Sequence, residues 1–252
     1  MPTYDPTAYR KFFERHFTYV SGFRRNIHRY ASRIAMECPL TGATWTYAGL
    51  GRDVDMLARG LRDAGVGAGD VVVYQLYNSP AFALLYLATQ ACGAVGSPVN
   101  FRLAPAEVAY ILDDSAPKAF VYDTALGGVV GEALARCERR PDVLVAVGAG
   151  AVGAGAVSAG AVGDWAVGGG AVGEAAVLPG AVPFEELFVP GDQPVEVERC
   201  TFEETTRLYS SGTTGMPKGV PLNSIVEILS AHDVIMHFPL SPEDKTLNMT
   251  PW

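Results

Sequence analysis

The spacing of apolar positions divides the chain into alternating helical and extended segments. Phe13, Phe17, Val20, Phe23, Ile27, Tyr30 and Ile34 recur every three or four residues, which predicts a helical stripe over 12–34, broken near Ser21–Gly22. Thr46 is a good N-cap, and Tyr47, Leu50, Val54, Leu57, Ala58 and Leu61 then share one face of a helix that Gly65 stops. Residues 71–77 form a short apolar run of strand type. Ser79-Pro80 reads as an N-cap followed by a first-turn proline, opening a helix to about Ala91. The alternation continues with a strand at 94–99, a helix from Ala104-Pro-Ala-Glu107 through Leu112, a strand at 119–122, a helix at 124–138 and a strand at 143–147. A further strand, 205–210, runs into a loop rich in Gly and Thr.

Short apolar strands without polar alternation are strands covered on both faces. Interleaved with helices, they predict an α/β fold: a doubly wound, mostly parallel sheet with helices on both faces. The organisation expected is a first α/β subdomain at 1–143, an insertion at 144–182, and the start of a second subdomain at 183–252. The insertion is a repeat. Ala-Val recurs at 146, 151, 156, 161, 166, 171, 176 and 181, and residues 144–182 carry 11 of the 28 glycines. A period of five matches neither helix nor strand, so a flexible surface insertion is expected, one that loops out at little closure cost. Gly and Ala contribute too little to insertion for its uncharged stretch to make a stable membrane span.

Charge narrows the choice of partners. With 27 acidic and 19 basic side chains the net charge is −8, which disfavours a nucleic-acid partner. The distribution is uneven. Residues 1–35 hold seven basic side chains against Asp5 and Glu14, and no Lys or Arg occurs between Pro141 and Glu198. The basic start reads as an amphipathic first helix with a basic outer face in preference to a transit peptide. Cys38, Cys92, Cys137 and Cys200 are widely separated, without the spacing of a zinc site, and fit a reducing cytoplasmic setting.

The chemistry concentrates in Tyr209-Ser-Ser-Gly-Thr-Thr-Gly-Met-Pro-Lys-Gly-Val220. Gly212, Gly215 and Gly219 permit tight backbone turns that bring N–H groups to an anion. Ser210, Ser211, Thr213 and Thr214 add hydroxyls, Lys218 a mobile positive charge, and Pro217 stiffens the approach to it. A strand opening into such a loop is a polyphosphate cradle. It is neither a Walker A loop, in which Lys precedes Ser or Thr, nor a GxGxxG dinucleotide fingerprint. His232 and His237 read as helix-surface or packing residues.

This segment resembles the signature phosphate loop of the adenylate-forming superfamily: acyl- and aryl-CoA synthetases, peptide-synthetase adenylation domains and luciferases. Four further stretches agree in order: Thr44-Trp-Thr-Tyr-Ala-Gly-Leu50, Gly65-Val-Gly-Ala-Gly-Asp-Val-Val72, Gln90-Ala-Cys-Gly-Ala-Val-Gly-Ser-Pro-Val-Asn100, and Leu103–Glu107 with Tyr110–Ser115. The resemblance implies activation of a carboxylic acid through an acyl-adenylate, by an acyl-CoA ligase of fatty acid metabolism or by an aryl-acid or amino-acid adenylation domain. A degenerate nucleotide-binding or association module is the non-enzymatic alternative. It implies ATP, Mg2+ and coenzyme A as reaction partners. Ser210, Ser211, Gly212, Thr213, Thr214, Gly215 and Lys218 would hold the phosphates, with Thr213 or Thr214 also touching Mg2+. Two departures stand out. Pro221-Leu-Asn-Ser224 occupies the place of the usual Thr-His. The family's later motifs, including its C-terminal adenylation lysine, have no counterpart here, so a catalytic residue is not expected in this chain. The expectation is an N-terminal portion, inactive alone, that works with a C-terminal portion or subunit.

Overall fold

The computed structural model describes residues 5–148, 176–210 and 215–247. Two N-terminal helices, α1 (Pro6–His16) and α2 (Tyr19–Arg29), precede a small hairpin of β1 (Ile34–Cys38) and β2 (Ala43–Thr46). There follow α3 (Tyr47–Asp63), β3 (Val71–Gln75), α4 (Pro80–Cys92), β4 (Val95–Pro98), α5 (Pro105–Ser115), β5 (Ala119–Asp123), α6 (Gly127–Arg136) and β6 (Val143–Val147). After the repeat come β7 (Val182–Pro183), a 3-10 turn at Phe184–Leu187, β8 (Glu204–Ser210), β9 (Lys218–Asn223) and α7 (Ser224–His237).

Among the described residues seven strands form one sheet in the order β7-β6-β5-β3-β4-β8-β9. All neighbours are parallel except β8 and β9, an antiparallel hairpin. The alternate faces of each strand feed two cores. Val72, Tyr74, Ala119, Val121, Val145 and Val147 pack with α3 and α4. Val71, Val73, Val95, Phe120, Tyr122 and Ala146 pack with α5 and α6. This is the doubly wound architecture that the uniformly apolar strands imply. The chain steps from β3 to β4 on one side and then to β5 on the other, so the winding reverses at β3, which lies between them.

Local signals hold where capping decides them. Thr46 Oγ1 accepts the Gly49 N–H (3.1 Å) and Ser79 Oγ accepts the Phe82 N–H (3.4 Å). Two expectations fail and a third holds in part. The N-terminal break falls at Phe17–Thr18, because Thr18 Oγ1 accepts the Ser21 N–H and starts α2 there, leaving Gly22 inside the helix. Ile34 belongs to a strand: a turn with Gly42 at φ 69° folds β1 onto β2, and this pairing overrides the helical spacing. The basic face of α1 is exposed as expected, through Arg10, Lys11 and Arg15, but its apolar side is not buried: Tyr9 and Phe12 are each 60% exposed.

The ends of the repeat are anchored. Val145 pairs with Val182, the Ala176 N–H donates to the Thr124 carbonyl (2.9 Å), and the Leu178 N–H donates to the Tyr122 hydroxyl (2.7 Å). Most of the repeat, 149–175, lies outside the described residues, and with it the expectation of flexibility. Gly148 follows β6 at the same edge of the sheet as Thr124, where Ala176 is held. Replacing 149–175 by a short Gly/Ser linker is therefore expected to leave the fold intact. It should raise stability by about 1 kcal/mol through the smaller closure entropy, measurable as a higher urea midpoint. Among the described residues no helix is long and apolar enough to cross a membrane.

Candidate functional site

The parallel strands β3, β4, β5 and β8 all end at one edge, where ligands of open α/β sheets bind. At the reversal point, Tyr77 follows β3 and packs on Phe101 beyond β4, with ring centroids 4.7 Å apart. Gln75 Nε2 donates to the Asn100 carbonyl (3.3 Å), and the Arg102 N–H donates to Asn100 Oδ1 (2.9 Å). Asn100 closes the Gln90–Asn100 stretch that carries the resemblance, whereas Tyr77 and Phe101 have no signal in the sequence pattern. The signal that finds them is strand order, which fixes where the winding reverses.

The next strand along, β8, delivers Ser210 to the same edge. It is held from both sides. Tyr209 donates its hydroxyl to Asp114 Oδ2 of α5 (2.7 Å), and burial, reinforced by that carboxylate, pushes the phenol pKa well above its ordinary value. On the opposite face Glu227 of α7 accepts from Thr206 Oγ1 (2.6 Å) and from the Tyr86 hydroxyl of α4 (3.0 Å). Burial and the Glu227 charge raise the Tyr86 pKa strongly. These ties fix the strand that enters the loop to helices on both sides of the sheet.

The chain returns as β9, a strand absent from the sequence reading because Gly219 and Pro221 are poor strand formers. Lys218 is therefore the first residue of a strand rather than part of the loop. Register places it opposite Ser210, with Gly219 opposite Tyr209. Such cross-strand pairs sit about 5 Å apart on one face, so a hydroxyl and an ammonium flank the mouth of the hairpin. Both are exposed. Gly215 takes φ 110°, a conformation that side chains disfavour. Ser211, Gly212, Thr213 and Thr214, the rest of the expected phosphate-binding and Mg2+-binding set, lie outside the described residues. Among the described residues 210 and 215–219 there is no acidic side chain, so the mouth suits an anion.

The departure after Val220 has a structural use. Asn223 Oδ1 caps α7 by accepting the Val226 N–H (3.1 Å), and buried Ser224 accepts the Tyr19 N–H (3.1 Å). His232 and His237 are exposed on α7, as expected of surface residues.

A model of the AMP-binding enzyme family matches residues 23–252. The chain belongs to that family. Among curated relatives, the Amycolatopsis feruloyl-CoA synthase is 27% identical over 210 residues, covering 83% of this chain and 34% of the relative. The 4-coumarate–CoA ligase-like 9 of Oryza sativa is 31% identical over 200 residues, covering 77% and 30%. The chain thus spans about a third of the length of these relatives. The fold matches that of ATP-bound MatB from Rhodopseudomonas palustris with a TM-score of 0.66 at 21% identity, covering 91% of this chain and 39% of that one. The sheet and its flanking helices are therefore the adenylate-forming architecture that the motifs implied.

Asp123, at the end of β5 on the same edge, accepts the Ala125 N–H through Oδ1 (2.9 Å). Burial raises its carboxyl pKa, and that hydrogen bond only partly opposes the shift. The folded state therefore holds the proton to higher pH than the unfolded chain. Stability falls as pH rises through the window above the ordinary value of 3.8, and the penalty persists at neutral pH. Asp123→Asn keeps a cap acceptor without the charge. It is expected to raise the denaturation midpoint at pH 7 and to lose that advantage below pH 3.8.

Proposed function

We propose that the β8–β9 hairpin grips the β- and γ-phosphates of ATP in a CoA ligase that activates a carboxylic acid as its acyl-adenylate. The observation that carries this reading is the placement of Ser210 and Lys218 across an acid-free hairpin mouth, at the edge where the strands end. In the reaction, a substrate carboxylate oxygen attacks the α-phosphorus and the bond to pyrophosphate breaks. A thiol, coenzyme A, then attacks the acyl carbon and AMP departs. The negative charge that grows on the leaving pyrophosphate is met by preplaced N–H, O–H and ammonium groups. Ser211, Gly212, Thr213, Thr214 and Gly215 would complete the grip, and the Thr213 or Thr214 hydroxyl would supply an oxygen ligand to Mg2+. The family match supports this reading, as do the relatives named feruloyl-CoA synthase and 4-coumarate–CoA ligase-like 9.

The test is titration of ATP and of pyrophosphate into the 252-residue chain, with and without Mg2+. Both are expected to bind. Lys218→Ala should weaken binding at least tenfold, the worth of about 1.5–3 kcal/mol for a charge-assisted hydrogen bond, and Lys218→Arg should restore part of it. Binding that is absent, or indifferent to Lys218, overturns the proposal. Because the chain spans about a third of its relatives, acyl-CoA formation is expected only when the remaining portion is supplied.

A further inference from the structure

We infer that α1 is an anchor that lays the protein on an anionic lipid surface. The helix buries none of its residues. It is tied to the body through its polar side: the Thr201 N–H donates to the Glu14 carbonyl (2.7 Å), and Arg15 pairs with Glu198 (2.8 Å). At 100° per residue Tyr9, Phe12, Phe13 and His16 fall on one stripe, bordered on one side by Arg10, which pairs with Glu14 on the solvent-exposed helix surface (2.7 Å), and on the other by Arg15. Tyr9 and Phe12 are each 60% exposed and Phe13 is 36% exposed. Phe12 stacks on His16 with centroids 4.0 Å apart, giving the stripe a continuous aromatic surface. An aromatic face edged by arginines is the pattern of a helix lying in a membrane interface, where rings enter the acyl boundary and long cationic side chains reach the headgroups.

Charge selects the occupant. Residues 1–35 hold seven basic and two acidic side chains, whereas the other 217 residues hold twelve basic and 25 acidic. Four of the seven are in ion pairs, Arg10 with Glu14, Arg15 with Glu198, Arg24 with Asp55 and Arg33 with Glu243, which leaves Lys11, Arg25 and Arg29 to carry the positive field. All three are exposed, Lys11 on the side of α1 away from the stripe and Arg25 and Arg29 on α2. A second copy meeting this one through the same face would set basic end against basic end; an anionic bilayer is complementary to the basic end and is repelled by the rest, which orients the molecule. This inference is independent of the phosphate-loop reading.

The experiment is co-sedimentation of the 252-residue chain with phosphatidylcholine vesicles containing or lacking phosphatidylglycerol, at low and high salt. Binding is expected only with the anionic lipid and should weaken with salt. Arg10→Ala, at the edge of the aromatic stripe, should lower partitioning about fivefold, the equivalent of about 1 kcal/mol per cationic side chain near the surface. Tyr9→Ser with Phe12→Ser should lower it at least tenfold, while the thermal midpoint stays put because neither ring is buried. Three results overturn the inference: no sedimentation with anionic vesicles, sedimentation unaffected by the double substitution, or an aromatic-dependent dimer that forms in place of vesicle binding. The last would assign the face to a second copy.

Discussion

Gly60→Ala is expected to be among the most damaging single-methyl changes in the protein. A β-carbon there would lie 1.8 Å from the Leu187 carbonyl oxygen and 2.6 Å from its carbon, both backbone atoms. In an exposed helix the same change stabilises by about 1 kcal/mol. Here α3 crosses the 3-10 turn that carries the chain back from the repeat, and no side-chain rotation relieves the clash. Overpacking of this kind costs about 1–3 kcal/mol and more where backbone must move, so the steric term wins. The thermal midpoint should drop by roughly 5–10 °C. Gly128→Ala in α6, where nothing lies within 4 Å of the added carbon, is the control and should be neutral or slightly stabilising. Equal midpoints for the two variants would show that the turn does not rest on α3 as described.

That contact joins residues far apart in sequence, which is why no periodicity could reveal it. What sequence did reveal was local. The caps at Thr46 and Ser79, the stop at Gly65 and the uniformly apolar strands depend on neighbours within a few residues, and they appear where expected. The β1–β2 hairpin was missed because its strands gain their stability from each other, and their apolar spacing alone also fits a helix. The candidate site was half legible. Residue types in the Gly/Thr loop pointed to a phosphate cradle, whereas pairing register was needed to set Lys218 against Ser210. Strand order was needed to bring Tyr77, Asn100 and Phe101 to the same edge.

Trp45→Ala is expected to leave little folded protein. Trp45 is fully buried on β2, in the core between α3 and the sheet, and its indole N–H donates to Asp53 Oδ2 at 2.9 Å. Truncation removes the largest side chain of that core, at about 3–5 kcal/mol. It also takes a donor from a carboxylate that is itself fully buried, adding about 1–3 kcal/mol. Against a total stability of about 5–15 kcal/mol, the sum moves the chain toward the unfolded state at ordinary temperature. The two contributions separate experimentally. Trp45→Phe keeps most of the apolar volume and loses the donor. Asp53→Asn keeps an oxygen acceptor for the indole and removes the charge. If the hydrogen bond carries the anchoring, Trp45→Phe should cost more than the loss of ring area warrants, and Asp53→Leu should behave like it. Combining Trp45→Phe with Asp53→Leu should then cost less than the two changes summed, because the second removes a partner already lost. Strict additivity in chemical denaturation would show that Trp45 acts by volume alone and that Asp53 draws its support elsewhere.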